Sequence, residues 1–564
     1  MKKILHLLLL LFSVYSYSSE INGNVFLDNT SDHSGIIIKF NPVSPSAVYT
    51  DGTSNTSGSY SISVINGIYD ISYEKNGYQT YIITNQFISA DESFPNVTLN
   101  SNTVVNISGN ISGNWSNTNT YIVNGDITIP SGQTLTIEQG TEIKFDGYHS
   151  LIVNGTLNAI GSENNNIKFT SISTSPSNED WNQILINNSN TLSILEYCTI
   201  EYGKKSDNDW TGIVQIYGKA NIINCTIRNS GGSGIYVSSN EDILINKNII
   251  QNCTVGVKLS EGGIFNVTDN KIYNISISGI FNRISAVNSV IESNIIENSN
   301  WSGIEVYSDN RIRYNIVSNS KYGIYAGKGT PEITQNTLIS NQNGITIHFS
   351  ESFNPNPIVS SNIIAYSSGY AIYSDGTPKP SSVTYNLFYG NTLGIGNNNL
   401  PIGTGSVITT NNNDTDSDTY YNIFSSPDFI STNPTDSDFC QLNSNSDAID
   451  AGDPNITNNY NSTIIDIGAK ESSETLSINE FSNINFTISP NPVINKVKIQ
   501  AKDNQSFNKI LIYNINGQLV KEYKLENLSN NYTIENLNDL TSGVYIMEIF
   551  NRLKNNKKIK LLKK

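Results

Sequence analysis

The chain of 564 residues is acidic, with 33 Lys and Arg against 49 Asp and Glu and a formal net charge of −16. This balance argues against nucleic acid as a partner, because nucleic-acid binding needs a basic surface. It also argues against unaided attraction to a polyanionic glycan, which would need bridging cations. The length exceeds that of one compact domain, although a solenoid can absorb much of it.

The N-terminal residues have the pattern of an export signal. Lys2 and Lys3 precede an apolar run from Ile4 to Val14, and small and polar residues follow to Ser19. This order is typical of a secretory signal, and the run is too short to span a membrane as a stable helix. We therefore predict a signal peptide over residues 1–19 and no transmembrane segment in the mature chain.

Residues 20–100 are predicted to form a small β-sandwich. Short alternating runs such as Tyr60–Val64 and Tyr69–Tyr73 are separated by Gly, Asn and Ser turns, which is the pattern of antiparallel strands. The phrases Gly67-Ile68-Tyr69-Asp70 and Lys75-Asn76-Gly77-Tyr78 resemble the carboxypeptidase-regulatory-like module. That resemblance implies a spacer or adhesion unit, and we find no catalytic constellation in it.

One short pattern returns nine times between residues 198 and 388: a small polar residue, any residue, then an apolar one. Successive members are 21 to 27 residues apart. Short alternating segments with this period predict a solenoid in which no repeat buries its apolar face alone. The members are Cys198/Ile200, Cys225/Ile227, Asn248/Ile250, Asn270/Ile272, Asn294/Ile296, Asn315/Val317, Asn336/Leu338, Asn362/Ile364 and Asn386/Phe388.

Stacking such coils in register, roughly 4.8 Å apart, places each residue above its counterpart in the coil below. The asparagines then form a buried ladder, and the pattern resembles the right-handed parallel β-helix proteins over residues 101–470. That fold carries lyases, hydrolases, esterases and plain surface proteins, so the resemblance implies no particular activity. Residues 391–470 resemble the closing segment of such proteins, where an end coil needs a polar cap.

Cys198 and Cys225 occupy one column of this ladder in neighbouring coils. Their Cα atoms should lie within bridging range, which allows a disulfide. The alternative is that both replace asparagine as small buried residues, and we favour it. No Cys or His spacing suggests zinc.

A Gly-Ile or Gly-Val step follows most repeats, as at Gly234-Ile235 and Gly303-Ile304. The residue after the inward Ile must point outward, because side chains alternate along a strand. The first predicted outer column is Tyr236, Lys258, Phe281, Glu305, Tyr325, Thr346 and Tyr373. The second, two residues further on, is Ser238, Ser260, Arg283, Tyr307, Gly327, His348 and Asp375.

Aromatic rings interleaved with charges on a flat sheet suit stacking on sugar faces, and polysaccharide-active β-helix enzymes hold substrate on such a face. The alternative is that these rings only stabilise the sheet through cross-strand pairs. The ligand-binding candidates are Tyr236, Phe281, Glu305, Tyr307, Tyr325, His348 and Tyr373. Trp181, Trp210 and Trp301 could form an aromatic rim, although corner packing is the favoured interpretation.

Catalytic residues are harder to identify. Glu305 and Asp375 stand three coils apart, about 14 Å at the ladder spacing, which is too far for an inverting hydrolase, whose carboxyl groups are ≈ 6.5–9.5 Å apart. A lyase needs a base beside a group that neutralises a uronate, and Lys258, Arg283 and Tyr307 are neighbours that could supply these roles.

Calcium is the one cofactor that the sequence suggests. Asp414, Asp416 and Asp418 resemble the start of a calcium loop, but Thr419 and Ser425 replace the expected Gly and Glu. An acidic solvated loop is the favoured alternative.

The C-terminal residues give the most specific signal. After a polar linker over residues 471–484, residues 485–564 contain Ser489-Pro490-Asn491-Pro492, a hairpin signal at Asn516-Gly517, and a basic end. They resemble the C-terminal sorting domain of the type IX secretion system of Bacteroidetes, which implies export across the outer membrane.

We therefore expect an all-β chain: a right-handed parallel β-helix flanked by two small β-sandwich domains. It should be a monomer, exported to the cell surface or the extracellular space. Two function classes remain open at this stage. One is a non-catalytic protein that binds polysaccharide or mediates adhesion, and the other is a polysaccharide lyase acting on a uronate-containing glycan.

Overall fold

The computed structural model describes most of the chain. The described ranges are 18–43, 47–204, 211–285, 289–350, 353–377, 379–397, 399–456, 464–472, 486–490, 492–501, 507–514, 519–529, 531–538, 540–541, 543–550 and 556–563. Nearly all of the predicted signal peptide and linker lies outside them. Every regular element in these ranges is a β-strand. The described residues therefore contain no helix that could cross a membrane. The chain divides into two compact units, Met1–Glu471 and Ser472–Lys564.

The first unit begins with the predicted β-sandwich. One sheet contains Ser18–Leu27, Ser59–Ile65, Glu92–Ser93 and Val97–Leu99, and the other Ile37–Pro42, Thr50–Thr53, Gly67–Glu74 and Tyr81–Ile88. Alternation along these strands sends one set of side chains into a shared core. Ile21, Ile38 and Phe40 are fully buried there, and the hydroxyl groups of Tyr60 and Tyr73 are 2.8 Å apart.

The predicted parallel solenoid follows and has about 12 coils, built from three parallel sheets. Thr103–Asn110 and Asn119–Ile129 open it, and the latter contributes to sheets 2 and 3. Sheet 1 contains Gly113–Trp115, Thr134–Ile137, Thr156–Ile160, Ser193–Glu196, Ala220–Ile223, Ile243–Asn246, Phe265–Thr268, Val290–Glu292, Arg311–Arg313, Glu332–Thr334, Ile358–Ser360 and Ser382–Thr384.

The other two sheets alternate along the chain. Sheet 2 continues with Glu142–Phe145, Ile167–Ser171, Cys198–Glu201, Thr226–Arg228, Ile249–Cys253, Lys271–Ile275, Ile295–Ser299, Ile316–Ser318, Thr337–Ile339, Ile363–Ala365 and Leu387–Tyr389. Sheet 3 continues with Ser150–Val153, Gln183–Ile186, Gly212–Ile216, Ser233–Ser239, Val257–Gly262, Ser278–Ser285, Ser302–Val306, Tyr322–Ala326, Asn343–His348, Tyr370–Asp375 and Gly394–Gly396. The inward aliphatic side chains of all three sheets form one continuous core.

The asparagine ladder is confirmed. Asn294 is fully buried; its Nδ2 donates to Asn315 Oδ1 at 3.0 Å and to Val267 O at 2.8 Å. The residue before each ladder asparagine has a φ of +52° to +62°, a left-handed conformation that turns the chain and directs the amide inward. The ladder residues are Asn248, Asn270, Asn294, Asn315, Asn336, Asn362, Asn386 and, beyond the predicted series, Asn422.

The ladder ends on a buried carboxylate. Asp418 is fully buried and accepts hydrogen bonds from Asn422 Nδ2 at 3.1 Å and from the N–H groups of Gly405 and Tyr420 at 2.8 Å. It thus satisfies the last amide, which has no further asparagine to bond. At the other end of the ladder, Cys198 and Cys225 are free thiols, so they take the asparagine position as small buried residues and the disulfide alternative is wrong.

We expect Asn294→Leu to lower the free energy of unfolding. The substitution removes the acceptor of the Asn270 N–H and side-chain amide, and each buried group left unpaired costs about 1–3 kcal/mol. Chemical denaturation of this variant and of the exposed-site control Asn300→Leu measures the difference. An unchanged midpoint for Asn294→Leu would contradict the contribution assigned to the ladder.

Residues 424–456 and 464–471 differ from the expected polar end cap. They fold back along the outer side of sheet 2, where Phe439 and Ile467 pack against Ile339 and Ile363. The Gly468 N–H donates to Ser361 O at 2.9 Å. Several outward residues of these sheet 2 strands are aliphatic, among them Ile316, Ile339 and Ile363, so burying them under this segment removes apolar surface from water.

The second unit has two antiparallel sheets. One contains Phe486–Ser489, Val497–Ala501 and Asn531–Ile534, and the other Phe507–Asn514, Leu519–Ser529, Gly543–Phe550 and Asn556–Lys563. Ile499, Ile510 and Met547 are buried in their common core. The prediction of a small β domain at this end is confirmed.

Candidate functional site

The outward column of sheet 3 has the predicted register. Each residue of this column pairs with the next one on the adjacent parallel strand, one coil further along. Gln215 occupies the same column one coil earlier. The column is Tyr236, Lys258, Phe281, Glu305, Tyr325, Thr346 and Tyr373. We call these residues, with Arg283, Tyr307, His348 and Asp375 beside them, the outer face of sheet 3.

The predicted second column needs one correction. Bulges in the longer strands shift the register, so that Ser238 pairs with Glu261 rather than with Ser260, and Ser260 is buried. In the next coil, Arg283 is exposed. Tyr307 lies across Gly327, where an added Cβ would come within 2.3 Å of the ring. The glycine therefore leaves the space that this ring occupies.

On this face, an outward direction alone does not ensure that a side chain is exposed to solvent. Lys258, Glu305 and Tyr325 are only 5%, 7% and 6% exposed, because rings on the neighbouring coils cover them. Glu305 and Tyr325 are thus largely covered, and their role as ligand-binding residues stays a prediction. Four rings of this face are half-buried and reach solvent: those of Tyr236, Phe281, Tyr307 and Tyr373.

Lys258 lies between two aromatic rings. Its Nζ is 5.5 Å from the ring centroid of Tyr236 and 5.8 Å from that of Phe281, a range in which a cation is attracted to a ring face. Burial, and then the positive charge of Arg283, lowers the pKa of Lys258 to about 8. The ammonium group thus titrates near neutral pH.

Glu305 is held by three hydroxyl groups. Ser278 Oγ and Ser302 Oγ donate to Oε2 at 2.6 and 3.3 Å, and Tyr307 OH donates to Oε1 at 3.1 Å. Burial raises the pKa of Glu305 although these bonds oppose the shift. Burial also raises the pKa values of Tyr307 and Tyr325, so both phenols stay protonated and can donate.

His348 and Asp375 form a pair that the sequence reasoning missed. His348 Nδ1 is 2.7 Å from Asp375 Oδ2, and the imidazole stacks on Tyr325 with centroids 5.4 Å apart. The signal was available, since these two residues occupy one predicted column in consecutive coils. The structure does not bring Asp375 to Glu305, so no pair of carboxylates is formed here.

The three tryptophans considered for an aromatic rim have different surroundings. Trp181 is fully buried and stacks on Phe145 at 4.1 Å, so it packs a corner. Trp301 is 36% exposed, with Lys321 Nζ 4.1 Å from its ring centroid, and lies 6.2 Å from the Tyr325 ring. It forms the edge of the outer face of sheet 3. Trp210 lies outside the described residues.

The acidic loop shows no metal-binding geometry. Asp418 serves as the end of the ladder, whereas Asp414 and Asp416 are exposed and line one cavity together with Asp447. Across the described ranges no group of three or more His, Cys, Asp and Glu side chains is placed to hold a metal ion. Calcium binding by this loop stays a prediction.

Family models match three parts of the chain. Residues 182–338 match the right-handed β-helix region, residues 107–218 the pectate-lyase-like β-helix domain, and residues 487–564 the secretion system C-terminal sorting domain. No curated protein matches the chain. The sorting domain indicates type IX secretion to the cell surface or the extracellular space. The resemblance of residues 20–100 to a carboxypeptidase-regulatory-like module stays a prediction.

Solved structures resemble the solenoid in fold alone. A pectate lyase is 12% identical with a TM-score of 0.35, and the match covers 61% of this chain and 89% of that one. A periplasmic alginate epimerase is 16% identical with a TM-score of 0.33, and the match covers 50% of this chain and 73% of that one.

Proposed function

We propose that this exported β-helix protein binds a polysaccharide along the outer face of sheet 3 and does not cleave it. The observation that carries the proposal is a series of four solvent-reaching rings, on four of seven consecutive coils, with the exposed Arg283 beside them and Lys258 covered between two rings. Coils repeat every 4.8 Å or so, so a glycan lying along the solenoid axis would meet these rings at intervals of one to three coils.

Rings fixed by their neighbours suit this role. Phe281 and Tyr307 pack edge to face at 5.9 Å, and Tyr370 stacks on Tyr373 at the same distance. Since these side chains are already held in place, a ligand pays little ordering entropy when it stacks on them. The exposed Arg283 would orient acidic groups on the glycan, an effect that salt weakens, whereas the charge of the covered Lys258 is screened less.

A specific observation also supports a polysaccharide lyase as the second candidate. An amine with a pKa of about 8, such as that of Lys258, is partly unprotonated at neutral pH and can act as a general base. It would remove the proton next to a uronate carboxyl group, with Arg283 neutralising that carboxylate and Tyr307 donating a proton to the leaving oxygen. The C–O bond would break and a C=C bond would form.

The pH dependence separates the two candidates. As the pH rises through about 8, Lys258 loses its proton, so binding of a uronate polymer should weaken, whereas a lyase should become faster. Titration calorimetry and the absorbance of unsaturated sugar ends, measured from about pH 6 to about pH 10, give both curves. The control Lys258→Met, which keeps the apolar stem, should flatten the binding curve; an unchanged curve would exclude Lys258 as its source.

A further inference from the structure

A groove lies away from the outer face of sheet 3, between the N-terminal sandwich and the first coils of the solenoid in the first unit. Three cavities of about 420, 340 and 220 Å³ follow one another there. Thr80 and Gly140 line all three, so the cavities form one continuous groove. Its larger sections have the size of sites that hold small ligands.

The walls of the groove are rich in neutral hydrogen-bonding groups. Tyr78 stands on the sandwich side, and Asn102, Gln139 and Asn166 on the solenoid side. The Asn102 amide donates to Thr120 Oγ1 at 3.3 Å, whereas its Oδ1 is buried without a hydrogen-bond partner among the described residues. A buried acceptor without a partner is costly, and Asn102 itself lines the groove.

The charges of the groove are largely neutralised within the protein. Lys39 Nζ is 2.6 Å from Glu74 Oε2, and Lys168 Nζ is 3.1 Å from Glu201 Oε1. Glu142 pairs with Lys144 at 2.9 Å. Lys75, whose Nζ donates to Ser34 O at 2.8 Å, and the exposed Glu163 line the groove outside these pairs. Their charges are opposite, so the lining carries no excess of one sign to select an ionic ligand.

We propose that this groove binds a neutral, linear oligosaccharide. Its hydroxyl groups match the amide side chains that line the groove, and the Tyr78 ring, which borders two of the cavities, offers a surface for a sugar face. Gly77 beside it opens to free space, with no atom within 4 Å of an added Cβ. The groove binds independently of the outer face of sheet 3 and takes an uncharged rather than an acidic chain.

The test uses the mature full chain and the hexaoses of cellulose, xylan, mannan and laminarin in titration calorimetry. Thr80→Trp places a large ring in all three cavities from an exposed position, and Thr56→Trp, exposed on the same sandwich, is the matched control. We expect at least one hexaose to bind wild type and the control equally and Thr80→Trp at least about tenfold more weakly, or 1.4 kcal/mol.

The outer-face variant Tyr236→Ser/Phe281→Ser/Tyr307→Ser should bind that hexaose as wild type does. This arm distinguishes failure of the groove from failure of the function proposed for sheet 3. The proposal is overturned if no hexaose binds wild type, if Thr80→Trp binds unchanged, or if the outer-face variant loses the same binding.

Discussion

Deleting residues 485–564 should leave the rest of the protein in the periplasm of its native host. The sorting domain is a compact unit with its own core around Ile510 and Met547, and the first unit has a separate core. The truncated chain should therefore fold and cross the inner membrane but lack its signal for the outer membrane. Fractionation and surface labelling of whole cells measure the two pools.

Two controls make this result interpretable. Residues 485–564 fused to an unrelated periplasmic protein should carry that protein to the surface. The full-length variant Asn300→Leu, which changes an exposed position of the solenoid, should be exported normally. Normal surface amounts of the truncated chain would contradict the role of the sorting domain.

Replacing Tyr236, Phe281 and Tyr307 together with Ser should remove most glycan affinity. Aromatic contacts contribute about 1 kcal/mol each beyond area burial, so losing three rings should weaken binding roughly 100-fold. The fold should survive, because these side chains point away from the core and the inward Ile235 and Ile280 are untouched. Affinity electrophoresis on uronate polymers, with a thermal melt of each variant, measures both effects.

The matched control places the same substitution elsewhere. Phe87→Ser and Tyr389→Ser remove exposed rings that lie off the outer face of sheet 3, and retention should stay as in wild type. Equal retention of the triple variant on every polymer would leave the face as scaffold alone.

The register of the solenoid could be predicted from the sequence because each coil repeats the same local demands. The positions of Asn294 and Asn315 fix the stack, and strand alternation then places Phe281 and Glu305 outward. Asn422 was missed because it follows its predecessor Asn386 by 36 residues, outside the 21-to-27-residue period. Its partner Asp418 consequently looked like a calcium ligand.

The sequence does not show which outward side chains are covered by neighbouring residues. Alternation tells which side of a sheet a residue faces, but whether Lys258 and Tyr325 reach solvent depends on the rings of adjacent coils. The fold-back of residues 424–456 and 464–471 over sheet 2 and the groove beside Thr80 arise from contacts between distant segments. Neither has a local pattern that a single sequence displays.

The outer face of sheet 3 is proposed to retain a polysaccharide without breaking it. The most direct measurement passes wild type, with calcium present, over immobilised uronate polymers, and records protein retention and the absorbance of unsaturated sugar ends in the same eluate. We predict retention on at least one polymer, reversed by the free polymer, with no unsaturated ends. Release of unsaturated ends, or passage of wild type through every column without delay, would contradict the claim.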